Sequence, residues 1–96
     1  MPANARIGDQ VCCGSKNAKG SPNVFVNSIP QVRLGDICTG HGCFPPRPCI
    51  SGSPNVFANS IPVHRIGDKW PPHCCPKKGC HPSTQCSGSP NVFSNG

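Results

Sequence analysis

The chain has no Tyr, a single Trp and no Glu, and only 12% of its 96 residues are charged. Aromatic residues make up 5% and hydrophobic residues 34%, too few large apolar side chains for a thick layered core. Domains of this size are marginal without staples. No stretch approaches the roughly 18 apolar residues of a membrane span, and the N-terminus lacks the charged-then-apolar pattern of a secretory signal. These absences point to assembly in a cytosol, where disulfides are rare, and an odd number of cysteines lowers the expectation of a disulfide framework further.

What is abundant is cysteine, proline and glycine: nine Cys, thirteen Pro and eleven Gly, with four His. Proline and glycine at this density argue against long helices and for short strands punctuated by turns. The formal charge is +6. A basic balance allows nucleic acid or acidic protein as partners. The basic residues are scattered and no stacking aromatics accompany them, so no specific nucleic-acid site is expected.

One phrase occurs three times: Gly20-Ser-Pro-Asn-Val-Phe25, Gly52-Ser-Pro-Asn-Val-Phe57 and Gly88-Ser-Pro-Asn-Val-Phe93. The first two copies run on to Arg33-Leu-Gly-Asp36 and Arg65-Ile-Gly-Asp68, whereas the third stops at Asn95-Gly96. Its missing half stands at the other end of the chain, in Arg6-Ile-Gly-Asp9. Joining the termini aligns Asn95-Gly96-Met1-Pro2 with Asn27-Ser28-Ile29-Pro30. The chain therefore reads as a single domain over residues 1–96, built of three units, one of them split by the termini. An open solenoid has no use for a split unit, and a closed body with pseudo-threefold symmetry does.

Within a unit, Pro suits a strand start, Val24-Phe25-Val26 a short strand, and Asn27-Ser28 a tight turn into Ile29. The hairpin is expected to return along Gln31-Val32-Arg33-Leu34. Phe25, Phe57 and Phe93 with Leu34, Ile7 and Ile66 are the expected core, from the burial habits of such side chains. The three Arg and three Asp (Arg6 with Asp9, Arg33 with Asp36, Arg65 with Asp68) most simply form repeated ion pairs. Carboxylates repeated by symmetry share one environment, whereas acid–base work needs unlike ones.

All nine Cys fall in three inserts, Gln10 to Lys19, Ile37 to Ser51 and Lys69 to Ser87, together with His41, His73 and His81. Only His64 sits within the repeat, where it reads as a surface substitution. Because each insert follows the same Gly-Asp turn, all three leave the body at one end. Cys13, His41 and His73 then lie at matching distances from their turns, with His81 on the longest arm, and four N/S donors suit a closed structural zinc site. A second set, Cys74, Cys75, Cys80 and Cys86 with or without His81, remains open, as does Cys12 in place of Cys13 and a disulfide such as Cys43 with Cys49. The inserts contain no carboxylate to serve as a general base, so no catalytic residues are expected and the chain is not read as an enzyme.

The triple repeat, with Pro30-Gln-Val-Arg33 and Pro62-Val-His-Arg65 leading into Leu/Ile-Gly-Asp and the Gly-Ser-Pro-Asn-Val phrase, resembles the PAAR-repeat proteins over essentially the whole chain. The resemblance implies an all-β, cone-shaped fold of short hairpins with pseudo-threefold symmetry and a metal-bound apex. It implies Zn²⁺, with iron as the alternative, held by Cys13, His41, His73 and His81. It also implies a structural role, a monomeric tip that caps the homotrimeric β-helical spike of a contractile injection machine, a phage tail or a type VI secretion system; members of the family often carry fused toxin domains, and since the repeat takes up all 96 residues no fused effector domain is expected here. Such a tip resides on a virion tail or travels from the bacterial cytoplasm on the spike, and meets the target cell envelope transiently. The competing readings are a basic Cys/His-rich module for nucleic acid and a disulfide-stapled secreted protein.

Overall fold

The repeated phrase folds the same way each time, beginning with a turn made by its serine. The computed structural model describes residues 2–40, 42 and 44–94; Met1, His41, Cys43, Asn95 and Gly96 lie outside the described residues. Ser21 Oγ accepts the backbone N–H groups of Asn23 and Val24, and Ser53 and Ser89 do the same for their copies. A two-residue hairpin follows, β1 (Phe25–Val26) with β2 (Ile29–Pro30), and again β3 (Phe57–Ala58) with β4 (Ile61–Pro62). Asn27, Ser28, Asn59 and Ser60 all have φ between 54° and 64°. Two consecutive positive φ values make the type I′ turn, whose twist suits a tight hairpin and which Asn tolerates well.

The split unit closes across the termini. Phe93 pairs with Ala3, and Ser94 N–H donates to Pro2 C=O at 3.0 Å. Since Phe25 pairs with Pro30 and Phe57 with Pro62, Ala3 takes the place expected of Pro2. The N-terminal half is thus one residue out of the expected register, the extra residue lying before Ala3. The Asn95-Gly96-Met1 junction itself lies outside the described residues.

The runs after each hairpin do not return along their own strand, as the sequence suggested, but cross to the neighbouring unit. Arg6 bridges Gln31, Arg33 bridges Val63, and Asn4 bridges Arg65. At the centre the units close a ring of backbone hydrogen bonds: Ala5 N–H to His64 C=O at 2.9 Å, His64 N–H to Val32 C=O at 2.9 Å, and Val32 N–H to Ala5 C=O at 3.0 Å. Gln31 caps this ring, its Nε2 donating to the carbonyls of Ala5, Val32 and His64 at 2.9, 2.6 and 3.2 Å. The approach is so close that a Cβ on Gly20, Gly52 or Gly88 would meet a neighbouring backbone oxygen at 2.8, 2.8 or 2.7 Å, which is why the phrase opens on glycine. The hairpin asparagines stitch the units from outside: Asn59 holds Ser21 and Asn23, and Asn27 holds Ser89 and Asn91.

The interior is a narrow axial column. Ala5, Val32 and His64 form one level, and Val11, Cys38 and Trp70, each two residues beyond its Asp, belong to the buried set that continues it. His64 is fully buried, its ring 5.1 Å from that of Trp70, so it is a core residue and not a surface substitution. Phe25, Phe57 and Phe93 are 55%, 55% and 47% exposed, with Leu34 and Ile66 also exposed and Ile7 half-buried. The expected phenylalanine core is therefore absent. At the level of the backbone ring the column admits only small or slender side chains, and the three phenylalanines stay outside; Trp70 is buried further along it. The pairing sets Pro30 between Phe25 and Ile7, Pro62 between Phe57 and Leu34, and Ala3 between Phe93 and Ile66. Cross-strand neighbours share a face, so each unit carries the same apolar row.

The Arg–Asp phrases do form ion pairs, with Nε to Oδ2 distances of 2.9, 3.0 and 2.9 Å. Burial alone would raise the Asp68 carboxyl, but the hydrogen bonds from Arg65 outweigh it and hold the group below its ordinary range. Each Asp also receives its insert back, Asn17, Cys49 and Gln85 donating their N–H groups to the carbonyls of Asp9, Asp36 and Asp68. The inserts thereby start and finish at equivalent points and rise together. The molecule measures 38 × 23 × 23 Å.

Candidate metal centre

The third insert makes the one extended hairpin among the described residues, β5 (Lys69–Cys75) with β6 (Gly79–Thr84). Its register shifts by one residue between Trp70 and His73. Pro71 and Pro72 lie at that shift and have no N–H to give to a ladder, so a bulge falls there naturally. The consequence is chemical: past the bulge, His73 stands directly opposite His81 and Cys74 opposite Cys80.

The two imidazoles face inward. Their Nε2 atoms are 2.7 Å apart, with the rings edge-on at a centroid distance of 4.5 Å. His73 Nδ1 lies 3.1 Å from Pro45 C=O; since a carbonyl only accepts, Nδ1 carries the hydrogen and Nε2 keeps its lone pair in the neutral ring. The ring of Phe44 packs 4.9 Å from His73 and 4.3 Å from His81. The second insert thus supplies an orienting carbonyl and an apolar wall. From the first insert comes Cys13, whose Sγ lies with the two histidines in a group whose donor atoms are all within 4.8 Å of one another.

Cys13, His73 and His81 can hold a metal ion. The three arms meet here, an outcome the matched insert positions anticipated. His41, the fourth expected ligand, lies outside the described residues. Two nitrogens on one tetrahedral ion with bonds of roughly 2.0 Å would sit about 3.3 Å apart, so an ion held here would require the 2.7 Å imidazole contact to open slightly and the proton between the two nitrogens to leave. Cys13 and His81 border an open groove that also takes in Trp70, Pro72 and Thr84, giving an ion a path from solvent.

Five of the other described sulfurs are tied up in disulfides, while Cys38 and Cys49 are buried free thiols. Cys12 is joined to Cys86 and Cys74 to Cys80 by disulfides, and Cys75 is disulfide-bonded as well. This removes the alternative ligand set of Cys74, Cys75, Cys80 and Cys86, and removes Cys12 as a substitute for Cys13. It also goes against the lowered expectation of a disulfide framework. Adjacent cysteines alternate in direction, so Cys12 turns out to pair while Cys13 turns toward the core. Cys49 is a free thiol and donates to Arg33 C=O at 3.0 Å, which excludes the considered pairing with Cys43; burial pushes the thiol up to about 12.

His64 was missed as a buried group, although its repeat equivalents, Ala5 and Val32, are both apolar and mark the position as interior. Its Nδ1 lies 2.9 Å from Ser51 C=O and its Nε2 is buried without a partner among the described residues. Desolvation lowers its pKa below the ordinary 6.5. Among the described residues no helix is long and apolar enough to cross a membrane. Comparison of the chain with protein-family models and with curated protein sequences gives no match.

Proposed function

We propose that this chain is a structural tip: its three apolar rows seat on the end of a threefold-symmetric partner, and its inserts are closed by a structural Zn²⁺. The observation that carries the reading is the exposure of Phe25, Phe57 and Phe93 at equivalent positions around a narrow interior. A single chain with internal threefold symmetry presents one surface three times, so it caps a homotrimer without a symmetry mismatch. The trimeric β-helical spike of a contractile injection machine is the partner of that shape, on a phage tail or in a type VI secretion system. Zinc suits the one-thiolate, imidazole-rich donor set, and a structural ion adds its binding energy to that of folding. No step of catalysis is assigned: the three Asp are all engaged by Arg.

The test is stoichiometric. With a soluble fragment bearing the blunt end of such a spike, native mass spectrometry is expected to find one copy of this chain per trimer and one zinc per copy. Replacing all three phenylalanines by Ser removes the complex, and His73→Ala removes the zinc. Three copies per trimer, or an unimpaired triple variant, overturns the docking surface.

A polyanion-binding role has one observation in its favour. With every Asp paired to an Arg, the six remaining cations, Lys16, Lys19, Arg47, Lys69, Lys77 and Lys78, all lie in the inserts. Salt-dependent binding to duplex DNA, with log K falling steeply against log salt, would favour that role.

A further inference from the structure

Seven large hydrophobic side chains are exposed among the described residues, and the three apolar rows account for five of them. The other two, Ile37 at 42% and Ile50 at 53%, belong to the second insert. Their positions can be compared across the threefold pattern. Gln10, Ile37 and Lys69 each follow the Asp of their unit, and Ala18, Ile50 and Cys86 each follow the residue that returns its insert to that Asp. Only the second unit puts a large aliphatic side chain at either position.

Local pairing sets both isoleucines on one outward face. Ile37 pairs with Pro48, while their neighbours Cys38 and Cys49 are buried. Sides alternate along a strand, so Ile37, Pro48 and, two residues on, Ile50 share the solvent side, and all three are exposed. Ile50 N–H donates to Lys69 C=O at 3.0 Å, which carries the face across to the third insert. There a groove of about 810 Å³ runs from Ile50 past Lys69 to Pro72 and Pro82, a volume in the range of ligand-binding clefts. Cations frame the strip: Lys16 C=O accepts the N–H of Thr39 beside it, Arg47 precedes Pro48, and Lys69 lines the groove. No Asp or Glu lies in any insert, and Asp36 and Asp68 are buried and paired with Arg33 and Arg65.

We infer that this face is a docking site for one acidic peptide segment of a partner protein, its apolar side chains against Ile37, Ile50 and the prolines and its carboxylates against Lys16, Arg47 and Lys69. Charge selects the occupant. A second copy of this chain would set those cations against their own kind, with a formal charge of +6 on each molecule. Symmetry sets the number: the apolar rows occur three times and suit a threefold partner, whereas a face present once binds one to one. The site uses neither the rows nor a metal ion, so it stands or falls apart from the function proposed above.

The experiment pans a displayed library of random peptides against the intact chain with its disulfides formed, counter-selecting on the double variant Ile37→Ser, Ile50→Ser. The enriched sequences are expected to place Asp or Glu between aliphatic or aromatic residues. A selected peptide is expected to shift the amide resonances of Ile37, Ile50 and Lys69 and the indole N–H of Trp70, which lines the groove, and to saturate at one equivalent. Burying two half-exposed isoleucines corresponds to a loss of about tenfold or more in affinity for the double variant. Added salt weakens binding as the cations are screened, and Phe25→Ser leaves it unchanged. Should the isoleucine variant fail to fold, Lys16→Gln with Lys69→Gln reads the same site through its charge. No enrichment, peptides without acidic residues, binding undiminished in the folded variants, or shifts spread over all three inserts overturn the site. Shifts at Ile37 and Ile50 that grow with protein concentration alone would assign the face to a second copy. Shifts there with phosphatidylglycerol vesicles and with no selected peptide would assign it to a lipid surface, and either result overturns the acidic partner.

Discussion

Replacing Phe25 by Ser separates a surface phenylalanine from a core one by a margin that ordinary measurements resolve. A phenylalanine truncated inside a core costs about 3–5 kcal/mol. Phe25 is 55% exposed, so under half of its side-chain burial is at stake. With full burial worth about 1.5–3 kcal/mol, the loss comes to about 1 kcal/mol. For a domain of this length that lowers Tm by about 4–8 °C. Phe57 and Phe93 are equivalent, and the triple variant should lose about 3 kcal/mol if the sites are independent. Urea titration followed by far-ultraviolet circular dichroism, with disulfides intact, measures both quantities. A cost above about 3 kcal/mol for Phe25→Ser alone would show the ring to be a core residue and remove the argument for an apolar docking surface.

The pH dependence of stability carries a signature of His64. Its folded pKa is lowered by burial, so between that value and 6.5 the unfolded chain binds the proton and the folded chain does not. Stability therefore falls as pH drops below about 6.5 and gains nothing from this group above it. His64→Val should flatten that slope relative to the parent, since every other group is common to both proteins; equal slopes between pH 5 and 7 would contradict the assignment. Gly52→Ala puts a methyl 2.8 Å from Val63 C=O and should destabilise by more than the roughly 1 kcal/mol typical of point substitutions, whereas Gly67→Ala meets no atom within 4 Å and suffers only the strain of its φ of +89°. Equal melting temperatures for Gly52→Ala and the parent would refute the close backbone approach. Substituting Cys12 and Cys86 by Ser opens a bond closing 74 residues and should cost about 4.5 kcal/mol in chemical denaturation; a loss below about 1 kcal/mol would mean that the bond adds little to the fold.

Local chemistry made much of this protein legible in the sequence. Three copies of one phrase, the split third unit, the Asn-Ser turns and the Arg–Asp pairs depend on residues a few positions apart, where backbone preference and hydrogen-bond reach decide the outcome. The meeting of the inserts followed from symmetry, since equivalent turns send chain in equivalent directions, and this brought Cys13 to His73 and His81. Tertiary structure alone decided the rest. A two-residue strand is too short for alternation to say which face is inward, so only the width of the axial column could put Val26 inside and Phe25 outside, and admit His64 beside Ala5 and Val32. Which sulfurs pair depends on contacts as distant as Cys12 with Cys86, and the placing of His73 opposite His81 depends on a bulge whose effect exists only once β5 and β6 have met.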